Sequence, residues 1–208
     1  MATVSPRGLP ALVGAPITPG MRIGILGGSF NPAHDGHLHI SLEALRRLEL
    51  DQIWWLVSPQ NPLKPQKGMA AFDKRFASAK AMAQHPAIFV TDIETQLGTQ
   101  YTFETVSALM ELGADLHFVL LVGADNLLQL PAWKNWERLV QAVPVCVLAR
   151  PGFDSEAMSG QAALRFEQDR IPEEDAPRLA TLAPPAWVFL PIPLHNASST
   201  QIRDQGQW

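Results

Sequence analysis

Arg22-Ile23-Gly24-Ile25-Leu26-Gly27-Gly28-Ser29-Phe30-Asn31-Pro32-Ala33-His34-Asp35-Gly36-His37 begins as a short apolar run and ends on two histidines. The run from Met21 to Leu26 reads as a strand, and the amphipathic stretch from His37 to Leu50 reads as a helix. Glycines between them let the backbone approach a ligand where a Cβ would clash. A helix start offers unpaired N–H groups and the positive end of a dipole, both suited to phosphate. His34 and His37 stand at i and i+3, so both imidazoles can face that site. Strand, glycine turn, paired histidines and helix start together predict nucleotide chemistry. Three other readings of the histidines stay open: a capping role, a core role, or a metal site shared with His39. Zinc takes three or four ligands. No cysteine or carboxylate cluster at ligand spacing accompanies them, so no metal site is expected.

Further along the chain, apolar runs alternate with helical patterns, as in a parallel sheet with crossover helices. The candidate strands are Arg22–Leu26, Ile53–Val57, Ile88–Thr91, Leu116–Val122, Val143–Ala149 and Trp187–Leu190. Their continuous apolarity suits strands covered on both faces. Leu38, Leu42, Leu45 and Leu48 form one helical stripe; Phe72, Phe76, Ala79 and Met82–Ala83 form another. Thr102 is the expected N-cap of a helix over Phe103–Leu112 that Gly113 stops. The fold class predicted is α/β, a doubly wound parallel sheet, with ligands beyond the carboxyl ends of the strands. Residues 1–20, rich in Pro, Gly and Ala, read as a flexible arm before a single domain over 21–208. Ser58 to Lys67 reads as a mobile loop, and Pro151 to Pro185 as a surface excursion with one helix over Glu156–Gln168.

A chain of 208 residues with 47% hydrophobic and 17% charged residues fits one globular domain. A net charge of −4 argues against a nucleic-acid or anionic-membrane surface, and no run is long and apolar enough to span a bilayer. A local cationic cleft for phosphate is still compatible with that charge, its candidates being His34, His37, Lys64, Arg75 and Arg203. The single cysteine, Cys146, lies in an apolar run and reads as a buried strand residue. A cytoplasmic protein is expected.

GGSFNPAHDGH, residues 27–37, resembles the GGSFxPxHxGH signature of the nucleotidylyltransferase superfamily, and Ser198-Ser199-Thr200-Gln201-Ile202-Arg203 is similar to its SSTxIR motif. Between them stand Tyr101-Thr102-Phe103-Glu104-Thr105, Gly123-Ala124-Asp125-Asn126 with Trp133 and Trp136, and Arg150-Pro151-Gly152. That order resembles the bacterial nicotinate-nucleotide adenylyltransferases, over about Met21 to Arg203. Two departures are Leu63, where the family often has a histidine, and the end at Trp208, where the family usually continues into another helical segment.

The resemblance implies a Rossmann-like nucleotidylyltransferase fold and adenylyl transfer from ATP to nicotinate mononucleotide, with Mg2+ carried on the ATP phosphates. It implies direct displacement, with no nucleophilic serine. His34, His37 and Arg203 become the catalytic candidates. ATP would lie against them and Gly27, Gly28, Ser29, Phe30, Gly123, Asp125, Ser198, Ser199 and Thr200. The mononucleotide would lie against Ser29, Lys64, Tyr101, Thr102, Trp133 and Arg150, with Trp133 stacking on the pyridine ring. Asp125 has a second reading as a helix cap, Lys64 as a solvated lysine, and Trp136 is expected in the core. Other phosphorylated acceptors (phosphopantetheine, nicotinamide mononucleotide, a polyol phosphate) and a silent nucleotide sensor are the competing functions.

Overall fold

The computed structural model describes residues 8–59, 68–193, 195–206 and 208. Lys64 and Leu63 lie outside the described residues, as does most of the loop expected over Ser58 to Lys67. In chain order the elements are α1 (Gly8–Val13), β1 (Arg22–Gly28), α2 (Asp35–Arg47), β2 (Gln52–Val57), α3 (Phe72–Met82), β3 (Ile88–Thr91), α4 (Ile93–Leu97) and α5 (Thr102–Leu112). There follow β4 (His117–Gly123), α6 (Ala124–Gln129), α7 (Trp136–Ala142), β5 (Val145–Leu148), α8 (Asp154–Ser159), α9 (Gln161–Arg165), β6 (Trp187–Leu190) and α10 (Ser199–Asp204).

The strands form one six-stranded sheet in the order β3-β2-β1-β4-β5-β6, and every pairing is parallel. Each of the six expected strands is present. β1 runs on through Gly27 and Gly28, so the glycine turn grows directly from the sheet. The order reverses between β1 and β4. A crevice opens there at the strands' carboxyl ends, because connections leave the two strands in opposite directions.

Alternate side chains of each strand feed two separate cores. Ile23 and Ile25 of β1, Trp54 and Leu56 of β2, and Phe118, Leu120 and Val122 of β4 face one layer with α5, α6 and α7. Leu26, Ile53, Trp55, Val57, Val119 and Leu121 face the other, with α2 and α3. Both faces are covered, hence the continuous apolarity of the strands. Cys146 is fully buried in β5, and burial pushes its thiol up. Among the described residues no helix is long and apolar enough to cross a membrane.

Five sequence expectations are corrected here. Residues 8–20 do not extend as an arm: α1 buries Leu9 and Val13 in the first core, and Gly20 N–H donates to Asp115 O at 2.7 Å. Thr102 is the first residue of α5 and Tyr101 its N-cap, without a side-chain cap. The helix expected over Glu156–Gln168 breaks at Gly160 into α8 and α9. The stretch from Pro151 to Pro185 is more than a surface excursion, since Ala162 and Phe166 enter one core and Ala176 and Leu179 the other. On α2 the buried face is Ile40, Ala44 and Leu48; Leu42 is left exposed and Leu38 and Leu45 only partly covered. The buried face also includes Ser41, whose Oγ accepts from Trp55 Nε1 at 2.8 Å.

Candidate active site

The glycine turn after β1 is pinned from the side by β2, where Ser58 N–H donates to Gly28 O at 2.9 Å. Phe30 takes φ 46°, turning the chain back, and stacks on Trp55 with ring centroids 5.1 Å apart. Its ring lies 4.8 Å from that of His37, so a buried aromatic pair backs the second histidine.

His34 is the N-cap of α2, in extended geometry, and its Nδ1 accepts from Gly36 N–H at 3.1 Å. His37 is the third helical residue, and its Nδ1 accepts from His34 N–H at 3.2 Å. This is a reciprocal capping box made of two imidazoles in place of the usual hydroxyl and carboxylate. Each neutral ring that accepts at Nδ1 carries its hydrogen on Nε2. The capping and phosphate readings therefore coincide: the bonds that close the helix start also make each Nε2 a donor. Gly36 is required by close approach, since a Cβ there would stand 2.9 Å from the His34 ring and 3.3 Å from Ala197 O.

His34 is 5% exposed, and its pKa falls from 6.5 to about 4. Burial is the main cause; the Arg150 and His195 charges add to it, and Asp35 opposes them. The ring is thus neutral at pH 7. In the unfolded chain it takes a proton near 6.5, whereas the folded protein refuses it until about 4. The unfolded state binds more protons in that window, so stability is lost as pH falls from 6.5 towards 4. Urea titrations at pH 7 and pH 4.5 are expected to show His34→Asn, which keeps a capping acceptor, losing on the order of 2 kcal/mol less than wild type. Equal losses would remove His34 as the source.

These residues line a cleft of about 500 Å³ at the crevice between β1 and β4. Gly27, Gly28, Ser29, Phe30, His34 and His37 form one wall and Ser198, Ser199 and Thr200 border it. Gly123, Asp125 and Arg150 line it from β4 and the segments after β4 and β5, and Tyr101, Thr102 and Trp133 line it too. Trp136 instead packs edge-on against Phe166 in the core, ring centroids 5.9 Å apart. Asp125 is not a cap; its Oδ1 faces Arg150 Nε at 3.4 Å, and neither buried atom has a hydrogen-bond partner among the described residues.

Segments far apart in sequence meet here. Ser199 Oγ donates to Pro32 O at 2.9 Å, Arg203 Nη1 donates to Asn31 O at 2.6 Å, and Arg203 Nη2 donates to Thr200 Oγ1 at 3.2 Å. The Arg203 guanidinium is beside the histidine loop but is not among the groups lining the cleft. Arg75, a sequence candidate for phosphate, is elsewhere: it is 1% exposed, and its donors are spent on the carbonyls of Ala70, Ser29, Ser58 and Pro59 at 2.7–3.1 Å. His39 turns away to Pro193 O at 2.6 Å. Among the described residues no three His, Cys, Asp or Glu gather as a ligand set.

A family model described as cytidylyltransferase-like matches residues 25–205. A protein of Parvibaculum lavamentivorans named "Probable nicotinate-nucleotide adenylyltransferase" is 51% identical over 192 residues, 92% of this chain and 96% of its own. The chain belongs to the nicotinate-nucleotide adenylyltransferase family. A Gluconobacter oxydans member bearing the same name is 50% identical over 188 residues, 90% of this chain and 96% of its own. The family fold extends further: a solved Plasmodium falciparum nicotinic acid mononucleotide adenylyltransferase complexed with NaAD matches with a TM-score of 0.67 at 18% identity, covering 88% of this chain and 83% of that one.

The cleft also holds groups that the sequence did not single out. Glu94, 7% exposed, lines it and is held by Thr105 Oγ1 at 3.4 Å and by Ser58, while burial raises its pKa. Lys134 borders the cleft too, its Nζ 4.1 Å from the Tyr101 ring centroid and 3.0 Å from Glu104 Oε1. A carboxylate in a short polar stretch carries no periodic signal of burial. The lysine, however, directly follows Trp133 in a quoted motif and was within reach.

Proposed function

We propose that this chain transfers the adenylyl group of ATP to nicotinate mononucleotide, giving deamido-NAD and pyrophosphate. One observation carries the reading: two imidazole donors and the Ser198–Thr200 hydroxyls line the same cleft as Tyr101, Thr102 and Trp133. A phosphate oxygen of the mononucleotide attacks the α-phosphorus. The new P–O bond forms as the α–β bridging bond breaks, and its electron pair leaves with pyrophosphate. No covalent enzyme intermediate is needed; the protein positions the reactants and stabilises the charge.

The Nε2–H groups of His34 and His37 donate to phosphate oxygens as charge shifts towards the leaving group. Arg203 holds outer oxygens with its planar fork. Magnesium, a hard cation that prefers oxygen ligands, is carried by the triphosphate and neutralises its charge. The cleft itself offers imidazoles, hydroxyls, an aspartate facing an arginine and the buried Glu94, and no group of three metal-ligating side chains among the described residues. That Asp125–Arg150 pair offers an acceptor and a donor to a ribose hydroxyl. Lys64 is kept as a phosphate ligand of the acceptor. Trp133 stacks on the pyridine ring, and the first N–H groups of the 11-residue α5 receive the nicotinate carboxylate. A neutral amide would use those donors poorly, so the acid is preferred. An ATP-consuming step of this kind belongs to the cytoplasm.

Pyrophosphate release is expected with ATP and nicotinate mononucleotide, at least tenfold faster in kcat/KM than with nicotinamide mononucleotide or phosphopantetheine. Preference for either of those acceptors, or ATP binding without product, would replace this reading.

A further inference from the structure

Asn31 is 4% exposed, and its side chain links three parts of the molecule. Its Nδ2 donates to Gly68 O at 2.9 Å. Its Oδ1 accepts from Ala70 N–H at 3.1 Å and from Trp208 Nε1–H at 2.8 Å. The orientation of the amide is fixed by its partners, because Gly68 offers an acceptor and the other two offer donors. Trp208 also meets α3, where Lys74 Nζ lies over the indole ring, 4.2 Å from its centroid. The main-chain carbonyl of the same asparagine receives Arg203 Nη1 at 2.6 Å.

α10 has six residues, too few to hold an arginine's direction through helix stability alone. The guanidinium is aimed by what it grips, and outside its own helix it grips Asn31 O. The Asn31 side-chain bonds help hold that carbonyl in place, and one of them comes from the indole of Trp208. We propose that Trp208 is a positioning residue for Arg203: its N–H holds Asn31, whose carbonyl aims the guanidinium at the triphosphate. This rests on the reading of Arg203 as a triphosphate ligand.

Trp208→Phe keeps an aromatic ring beside Lys74 and removes only the N–H. The kcat/KM for ATP is expected to fall roughly 5- to 20-fold, the effect of one displaced hydrogen-bonding anchor, with KM for the mononucleotide and the melting temperature unchanged. In an Arg203→Ala background the same substitution is expected to change kcat/KM for ATP less than twofold, because the residue it acts through is gone. An undiminished effect in that background, or no effect in the parent, overturns the proposal. ATP affinity measured by calorimetry without any acceptor reads the same cycle. A chain that binds ATP but does not turn over nicotinate mononucleotide therefore defeats the acceptor assignment and leaves the coupling between Trp208 and Arg203 to be judged on its own.

Discussion

Replacing His37 by alanine is expected to lower turnover by a factor on the order of 10² to 10⁴, the usual cost of removing a preorganised donor to developing charge. The protein should remain folded. His37 also accepts the His34 N–H, so the alanine variant loses part of a capping box, worth about 1 kcal/mol. His37→Gln separates the two roles. Glutamine at the third helical position can restore the capping contact but does not place an Nε2–H where the imidazole has it. Stability is expected to recover in the glutamine variant while turnover stays low. Recovery of both together would reduce His37 to a helix cap. Steady-state pyrophosphate release and thermal unfolding, run on the three proteins side by side, decide it.

Arg75→Met is expected to cost about 3–5 kcal/mol of stability, because the carbonyls of Ser29, Ser58, Pro59 and Ala70 lose their charged donor while methionine fills much of the space. A loss of that size lowers the melting temperature by roughly 10 °C in a domain of this length. Burial already presses the guanidinium towards its neutral form, so the cation persists because the carbonyls surround it. Were Arg75 a phosphate ligand instead, the variant would melt like wild type and show only a raised KM for ATP. A stability change under 1 kcal/mol would contradict the clamp.

Arg75 also marks what a sequence conceals. A lysine or arginine in a helical pattern reads as solvated or ligand-bound, and only the fold brings four carbonyls round it. The strands were legible because both faces of each are covered, leaving runs such as Phe118–Val122 with no polar break. The glycine turn and the histidine pair were legible because their geometry is local. α1 was not: two buried residues, Leu9 and Val13, in a six-residue helix give no period to detect among prolines and glycines. The stripe on α2 was drawn through its leucines, yet Ile40 and Ala44 are the residues that turn inward, into the core that holds Trp55. Glu94 escaped notice for the opposite reason, a polar residue made interior by Ser58 and Thr105 from other segments.

The pairing of Ser199 with Pro32 and of Arg203 with Asn31 spans 167 and 172 positions of sequence. Domains emerge from the ribosome N-terminal part first. A nascent chain can therefore lay down the glycine turn and both imidazoles early, but the opposing hydroxyls and guanidinium come only after all six strands. A copy that stops before Ser198 would carry the whole sheet but none of the Ser198–Thr200 border of the cleft.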